Sequence, residues 1–442
     1  MLLEFKVENF KSFANNTVFS MRPAPKQKGL DYSLLRAEYG GKKIRALCSS
    51  VIYGPNAAGK TNIIGAMDVM QTLMLRGNIR NNDREITPNV AASSLELIPN
   101  KASNSNSPVR FYIDFIDQGD RFQYWLDLEL GQFMDTEYPR SILYESLHIN
   151  DLPVFTRNGG LKLANKDSLL RMFPWLKQFS HVSLSGLATA GLNPQEMFLN
   201  NGFKSLIAPE IAERILLWVA SRFMVIYRAD SMQLIRRFSD PLQKTAYIET
   251  TTNAAARIFG IGSNALGYLS DSNDSRMRLY SLFDNLKGKN RAILAEAFES
   301  YGTLRFINLF PLVIKAMMTG GVLVVDEFDA SIHPMALINI INIFHDSDLN
   351  RKGAQLIFNT HNPIFLNSNL LRRDEIKFVE RDDTKDSSSL YALSDFGTSG
   401  TSGVRKKEDY MKNYFVERYG AVRNIDFSPI FEELLEQQEK LQ

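Results

Sequence analysis

Three separated clusters of polar residues in this 442-residue chain have the types and spacing of phosphate chemistry. The first is VIYGPNAAGKTN (51–62), where Gly54, Gly59, Lys60 and Thr61 satisfy the pattern G-x-x-x-x-G-K-[ST]. A nucleoside triphosphate carries about four negative charges, and a loop of small residues meets them with backbone N–H groups that bulkier side chains would hold away. On this reading Gly54, Pro55, Asn56, Ala57, Ala58 and Gly59 wrap the phosphates, with Asn62 just beyond. Lys60 bridges the β- and γ-phosphates and the Thr61 hydroxyl binds Mg²⁺. The next helix aims its positive end at the same charge.

The second cluster ends an apolar run, VLVVDEFD (322–329). Asp326 is placed to hold Mg²⁺ through water, and Glu327 to orient and deprotonate the attacking water. Two adjacent acids after a strand are often only a solvated strand end, and the phosphate loop is what gives this pair a chemical reading. The third cluster is THNP (360–363), immediately beyond QLIFN. His361 there can donate a hydrogen bond to the γ-phosphate and sense its loss, although a lone histidine is more often structural. His148, His181, His333 and His345 form no metal-spaced group, and Gly186 lies in no G-x-S-x-G elbow.

Positioning these clusters at one edge requires particular elements. VIY (51–53), VLVVD (322–326) and LIFN (356–359) are almost wholly apolar, as central parallel strands covered on both faces would be. Helical patterns come after each of them, at 61–75, 335–344 and 363–370. Alternation at Leu3, Phe5 and Val7, in FYIDF (111–115) and in FQYWLDLEL (122–130) predicts half-buried antiparallel strands. The apolar tract 307–325 contains Asn308, Pro311, Lys315 and Gly320-Gly321, so it reads as a buried helix, a turn and a strand, not as a membrane span. Between about 140 and 290 the pattern turns helical, as in EIAERILLWVASRF (210–223), with loops expected at 100–108 and 270–277. The expected organisation is a head formed by 1–140 and 291–442, interrupted by a helical insertion over 141–290.

Fifty-one Lys plus Arg against 49 Asp plus Glu leave a net charge of +2, which cannot make the whole surface a polyanion-binding one. Local candidates for nucleic-acid contact are Arg236-Arg237, Arg372-Arg373 and Arg405-Lys406-Lys407, although short basic groups are usually solvated faces. A single cysteine, Cys48, excludes an internal disulfide framework. The opening MLLEFKVENF lacks the basic and then apolar run of an export signal, so a cytoplasmic location is expected.

Taken together, LLEFKVENFKSF, GPNAAGKTN, ESYGT (299–303), VVDEFDASIHP (324–334) and THNPIFL (360–366) resemble, in order, the ATP-binding-cassette heads of the structural-maintenance-of-chromosomes and overcoming-lysogenisation-defect type. Within that group the chain looks like the compact bacterial abortive-infection ATPases. The resemblance implies an α/β phosphate-loop ATPase head, with a mixed sheet of parallel core and antiparallel lobe, using ATP and Mg²⁺. It implies that Ser300 and Gly302 contact the γ-phosphate bound to a second copy, that Asp329 belongs to a loop crossing the dimer interface, and that Lys11 and Ser12 reach nucleotide. From the residues alone, Ser300 or Thr303 could equally be an ordinary helix N-cap. The pattern's glutamine-bearing loop has no counterpart here, and the insertion is too short for a coiled-coil arm.

The resemblance further implies a homodimer or higher homo-oligomer glued by ATP, serving phage defence by holding and releasing a separate nuclease or toxin encoded nearby. A DNA-binding repair ATPase is an alternative. A self-contained nuclease is a third, since FVERDD (378–383) carries Glu380 and Asp382, but DYMKNYFVERYG (409–420) reads as helix and not as a second acidic strand.

Overall fold

In the computed structural model the apolar runs assemble into one sheet. The structure describes residues 1–25, 27, 29–80, 96–103, 107–135, 138–174, 181–227, 245–247, 250–260, 265–271, 274–283, 291–397, 403–405, 408–423 and 425–439. Numbered in chain order, β5 (Ser49–Tyr53), β11 (Phe223–Ile226), β16 (Val322–Val325), β17 (Gln355–Asn359) and β18 (Ile376–Asp382) run parallel, with β19 (Ser387–Ala392) antiparallel at one edge. Their order is β11-β16-β17-β5-β18-β19.

The continuous apolarity of these strands arises from the cover on each face. Ile52, Val322, Val324, Ile357 and Val379 point into a core shared with α1 (Lys60–Arg76), α4 (Pro209–Ser221) and an antiparallel lobe. Val51, Tyr53, Leu323, Val325, Leu356 and Phe358 point the other way, against α7 (Tyr301–Thr319) and α8 (Pro334–His345). Burial on both sides is what removes the polar alternation from the sequence. The expected mixed fold, with parallel core and antiparallel lobe, is therefore the observed one.

The lobe is a sheet in the order β10-β9-β8-β7-β6-β1-β2. Its members are β1 (Leu2–Glu8), β2 (Thr17–Ser20), β6 (Val109–Asp117), β7 (Asp120–Glu129), β8 (Ser141–Ile149), β9 (Leu152–Asn158) and β10 (Leu161–Leu163). Phe122, Tyr124, Leu126, Leu128 and Leu130 share its buried face. In β1 a register shift between Leu2 and Glu4 breaks the simple alternation. Leu2 joins Phe5 and Val7 in the main core, whereas Leu3 packs with Tyr39, Ala46 and Ile116. Buried Gln355 fastens lobe to core: its amide oxygen accepts from Leu2 N at 2.6 Å, and its Nε2 donates to Leu2 O and Leu47 O, each at 3.0 Å.

The segment 141–290, expected to be a helical insertion, is mixed. It supplies α2 (Lys166–Met172), α3 (His181–Ala190), α4 and α5 (Thr250–Phe259), but also β8, β9 and β10 of the lobe and β11 of the core. It further supplies most of a separate antiparallel sheet, β12 (Thr245–Tyr247), β13 (Ala265–Asp271), β14 (Asp274–Phe283) and β15 (Arg291–Leu294). Of the loop expected at 270–277, residues 270–271 and 274–277 lie instead in paired β13 and β14, where Ser, Asp and Arg gave a loop composition and pairing overrode it, and 272–273 lie outside the described residues. The helix expected over 363–370 is reduced to a 3₁₀ turn at Pro363–Phe365. Asn362 and Asn367 side chains accept from the backbone N–H two residues on, offering the chain a local alternative to helix.

Where lobe, α4 and core meet, Trp218 stacks on Phe115 with ring centroids 3.8 Å apart and on Phe223 at 5.5 Å. Its side chain is buried at 2% exposure. Trp218→Ala is expected to destabilise the chain by about 3–5 kcal/mol, read as a lowered urea midpoint. A change under about 1 kcal/mol would show that this contact does not hold the lobe to the core.

Candidate functional site

The phosphate loop connects β5 to α1, so its N–H groups and the N-terminus of α1 share the edge where the parallel strands end. Gly59 has φ +114°, and a Cβ there would lie 2.5 Å from Ser12 Oγ and 2.9 Å from Ser388 Oγ. Only glycine permits that approach. Ser388 Oγ donates to Ala58 O at 2.6 Å and Ser388 N donates to Ser12 O at 2.6 Å, while Asn62 Nδ2 donates to Ser12 Oγ at 2.9 Å. Ser12 and Asn62 thus brace the loop from behind, together with Ser388, which sequence reasoning missed. Ala57 adopts φ +61° at the loop tip, where Asn56 and Ala57 are exposed and Gly54 is buried.

Lys60 is buried beneath the loop and donates to Gly54 O at 2.8 Å and Pro55 O at 2.9 Å. Burial lowers its ammonium pKa to about 8, opposed by the carboxylates of Asp326, Glu327 and Asp329. Those carboxylates enter from the end of β16. Thr61 Oγ1 donates to Asp326 Oδ1 at 3.1 Å, joining the first and second sequence clusters directly. A hydroxyl and a buried carboxylate in contact are hard oxygen donors of the kind Mg²⁺ takes, so Thr61 and Asp326 fit that ion.

Glu327 is next along the chain, exposed and with φ +50°. A non-glycine residue there carries strain on the order of 1 kcal/mol, held by its surroundings. Asn359, buried at the tip of β17, accepts from Glu327 N through its side-chain oxygen and donates through Nδ2 to Asp326 Oδ1. Its backbone carbonyl accepts from Phe328 N at 3.3 Å. Asn359 went unnoticed in the sequence; the available signal was a polar residue closing an otherwise apolar strand. His361, two residues on, is exposed, and partial burial of its ring together with nearby Lys60 lowers its pKa against the pull of Asp329 and Asp326. That shift favours the neutral imidazole.

Ser300 is the N-cap of α7, its Oγ accepting from Thr303 N at 3.2 Å and lying 2.9 Å from Thr303 Oγ1. Ser300 and Tyr301 are exposed, so the start of α7 opens to the outside. A Cβ on Gly302 would fall 2.1 Å from Ser331 O, so this glycine presses α7 onto the loop that carries Asp329. Lys11, by contrast, is committed elsewhere: its Nζ pairs with Glu96 at 2.5 Å and reaches Tyr227 OH at 3.1 Å. Its partner is distant in sequence and could not be read from the local pattern.

The basic candidates fare similarly. Buried Arg372 binds Asp374 through two nitrogens at 2.9 Å, and buried Arg373 donates to the carbonyls of Leu393, Ser394 and Gly397, so both are structural. Arg236-Arg237 and Lys406-Lys407 lie outside the described residues. Among the described residues no group of three His, Cys, Asp or Glu could hold a metal. Tyr391 OH donates to Glu380 at 3.3 Å, and Asp382 accepts from Thr384. Tyr410–Phe415 is helical (α9), as expected.

A phosphate loop between a parallel strand and a helix, with a carboxylate from the end of another strand of the same sheet on its threonine, defines a P-loop nucleotide-binding protein. Over residues 49–166 and 203–367, more than half of its length, the chain matches the family described as "AAA domain, putative AbiEii toxin, Type IV TA system", and it belongs to that family. Among solved structures it is similar to the SMC head domain from Thermotoga maritima, with 12% identity over 88% of this chain and 98% of that one. The TM-score of 0.35 is too low to carry anything further. No curated protein matches the chain. No helix among the described residues is long and apolar enough to cross a membrane.

The Lys11 pair adjoins Asp68 on α1, whose carboxyl is pushed up to about 6 chiefly by burial, then by Glu96, against the pull of Lys11. With the folded value above the usual 3.8, the folded chain holds this proton more tightly than the unfolded one. That stabilisation is complete below pH 4 and lost as pH rises through about 6. Asp68→Asn should therefore match wild type near pH 4 and exceed it at pH 8 by at most about 3 kcal/mol. Urea titrations at the two pH values check this, and an equal difference at both would contradict it.

Proposed function

We propose that the chain hydrolyses ATP at a composite site formed by two copies, and that the resulting association and release controls a separate effector in defence against phage. The observation that carries this reading is the convergence of Lys60, Thr61, Asp326, Glu327 and Asn359 at one sheet edge, while the exposed start of α7 stands ready for a second copy.

In this reading Lys60 and the loop N–H groups hold the β- and γ-phosphates. Thr61 and Asp326 would hold Mg²⁺, which would supply neutralising charge to the phosphates. Glu327 accepts a proton from water as its oxygen attacks the γ-phosphorus, the bond to the β-phosphate oxygen breaks, and ADP and inorganic phosphate leave. Neutral His361 donates to the γ-phosphate and loses that partner on release. Ser300 and Gly302 of a second copy complete the shell, which makes ATP the adhesive and its hydrolysis the release. The family description, which names a putative toxin of a type IV toxin–antitoxin system, supports a defence setting.

Glu327→Gln should bind ATP, turn it over at least about 10²-fold more slowly and accumulate as an oligomer in light scattering. A monomer at saturating ATP with normal turnover would refute the assignment. Mixing Ser300→Arg and Lys60→Ala chains, each inactive alone, should restore part of the activity through the one intact composite site, and no recovery between folded, associating chains would sink the two-copy site. For the biological role, a host carrying the gene with its neighbours should lose protection in a phage plating assay when Lys60 is replaced by Ala. Unchanged protection would remove ATP from the defence.

A further inference from the structure

The peptide of Glu327 is held at both ends. Its N–H donates to Asn359 Oδ1, and its carbonyl accepts from Nη2 of Arg305, which also reaches Asp326 O at 3.4 Å. Arg305 lies on α7, about one and a half turns beyond the Ser300 cap, and is buried at 8% exposure. It therefore commits its guanidinium, which has five N–H donors and no freedom to lose its charge, to backbone carbonyls of the acid-bearing loop. Between these hydrogen bonds, and with its carbonyl also accepting from Ala330 N at 3.1 Å, Glu327 keeps φ +50°, a strained conformation held by its surroundings.

The same helix touches that loop a second time. Gly302 presses its backbone against Ser331, so the first two turns of α7 grip both the beginning and the end of the stretch 326–331. The helix whose exposed tip faces outward is mechanically continuous with the acid of its own site.

We propose that Arg305 is a positioning residue: its hydrogen bonds to the Asp326 and Glu327 carbonyls fix the strained backbone that aims the Glu327 carboxylate, and tie that aim to the position of α7. This rests on the reading of Glu327 as the water-activating group. Arg305 touches neither nucleotide nor water, and acts through Glu327.

The test uses the full chain with ATP and Mg²⁺. Arg305→Leu is expected to lower kcat about 10²-fold, the typical loss for a misplaced catalytic group, while KM and the Kd for a fluorescent ATP analogue stay within about twofold. Arg305→Lys, which can still reach one carbonyl, should recover about tenfold of that loss. In a Glu327→Gln background Arg305→Leu should cost nothing more, because its effect runs through the carboxylate already removed. Turnover of folded Arg305→Leu within twofold of wild type, a loss expressed in KM, or a full additional loss in the Glu327→Gln background would each overturn the inference. If Arg305→Leu fails to fold, Arg305→Lys decides by the same kcat and KM criteria. Absence of ATP turnover in the wild-type chain would overturn the reading of the site itself, whereas normal wild-type turnover with unaffected Arg305 variants overturns the positioning role alone.

Discussion

The hydrogen bond from Thr61 to Asp326 joins residues 265 positions apart, and the rest of the nucleotide site is arranged around it. It can form only because β16, β17 and β5 are adjacent parallel strands ending at one level, so that the loops leaving them arrive at the same place. The sheet reaches that alignment by being apolar on both faces, with helices and lobe excluding water from each. At the end of β17, Asn359 satisfies three polar groups at once. A buried amide with so many partners is costly to disturb, which makes this corner rigid.

Rigidity at that corner contrasts with the neighbouring glycine contacts. Gly59 lets Ser12 and Ser388 close behind the loop, and Gly302 lets a helix lie directly on the backbone of Ser331. Both are places where bringing backbone close mattered more than filling space with a side chain. The functional groups are thus carried on short, heavily braced segments while bulk is supplied elsewhere, by the aromatic layer of Phe115, Trp218 and Phe223 on one side and the α7 and α8 core on the other.

What could be read from the sequence is what local pattern encodes. The phosphate loop is a contiguous string, and the apolar strands announce themselves by lacking alternation, so the parallel core and the meeting of Lys60, Thr61, Asp326 and Glu327 were legible. Lys11 was not, since its position depends on Glu96, 85 residues away. Arg372 and Arg373 looked like surface charge because nothing in a dipeptide reveals burial against Asp374 and three carbonyls. The facing ends of β13 and β14, residues 270–271 and 274–278, are rich in Ser, Asp and Arg, whose preference for loops yields to cross-strand pairing. Asn359 and Arg305 bind backbone atoms of distant residues, and a backbone atom leaves no trace in the sequence.

The strand order also has a consequence for how the protein is made. Strand β5, completed at Tyr53, has as its neighbours β17, which begins at Gln355, and β18, which begins at Ile376. Until the ribosome has delivered those segments, the apolar residues of β5 have nothing to pair with and the phosphate loop has no frame. Nascent chains must carry an unmated hydrophobic strand through most of synthesis, a situation that slows folding and invites chaperone capture. Shortening the chain ahead of β17 would remove the seat of the nucleotide even though every residue of GPNAAGKTN remained.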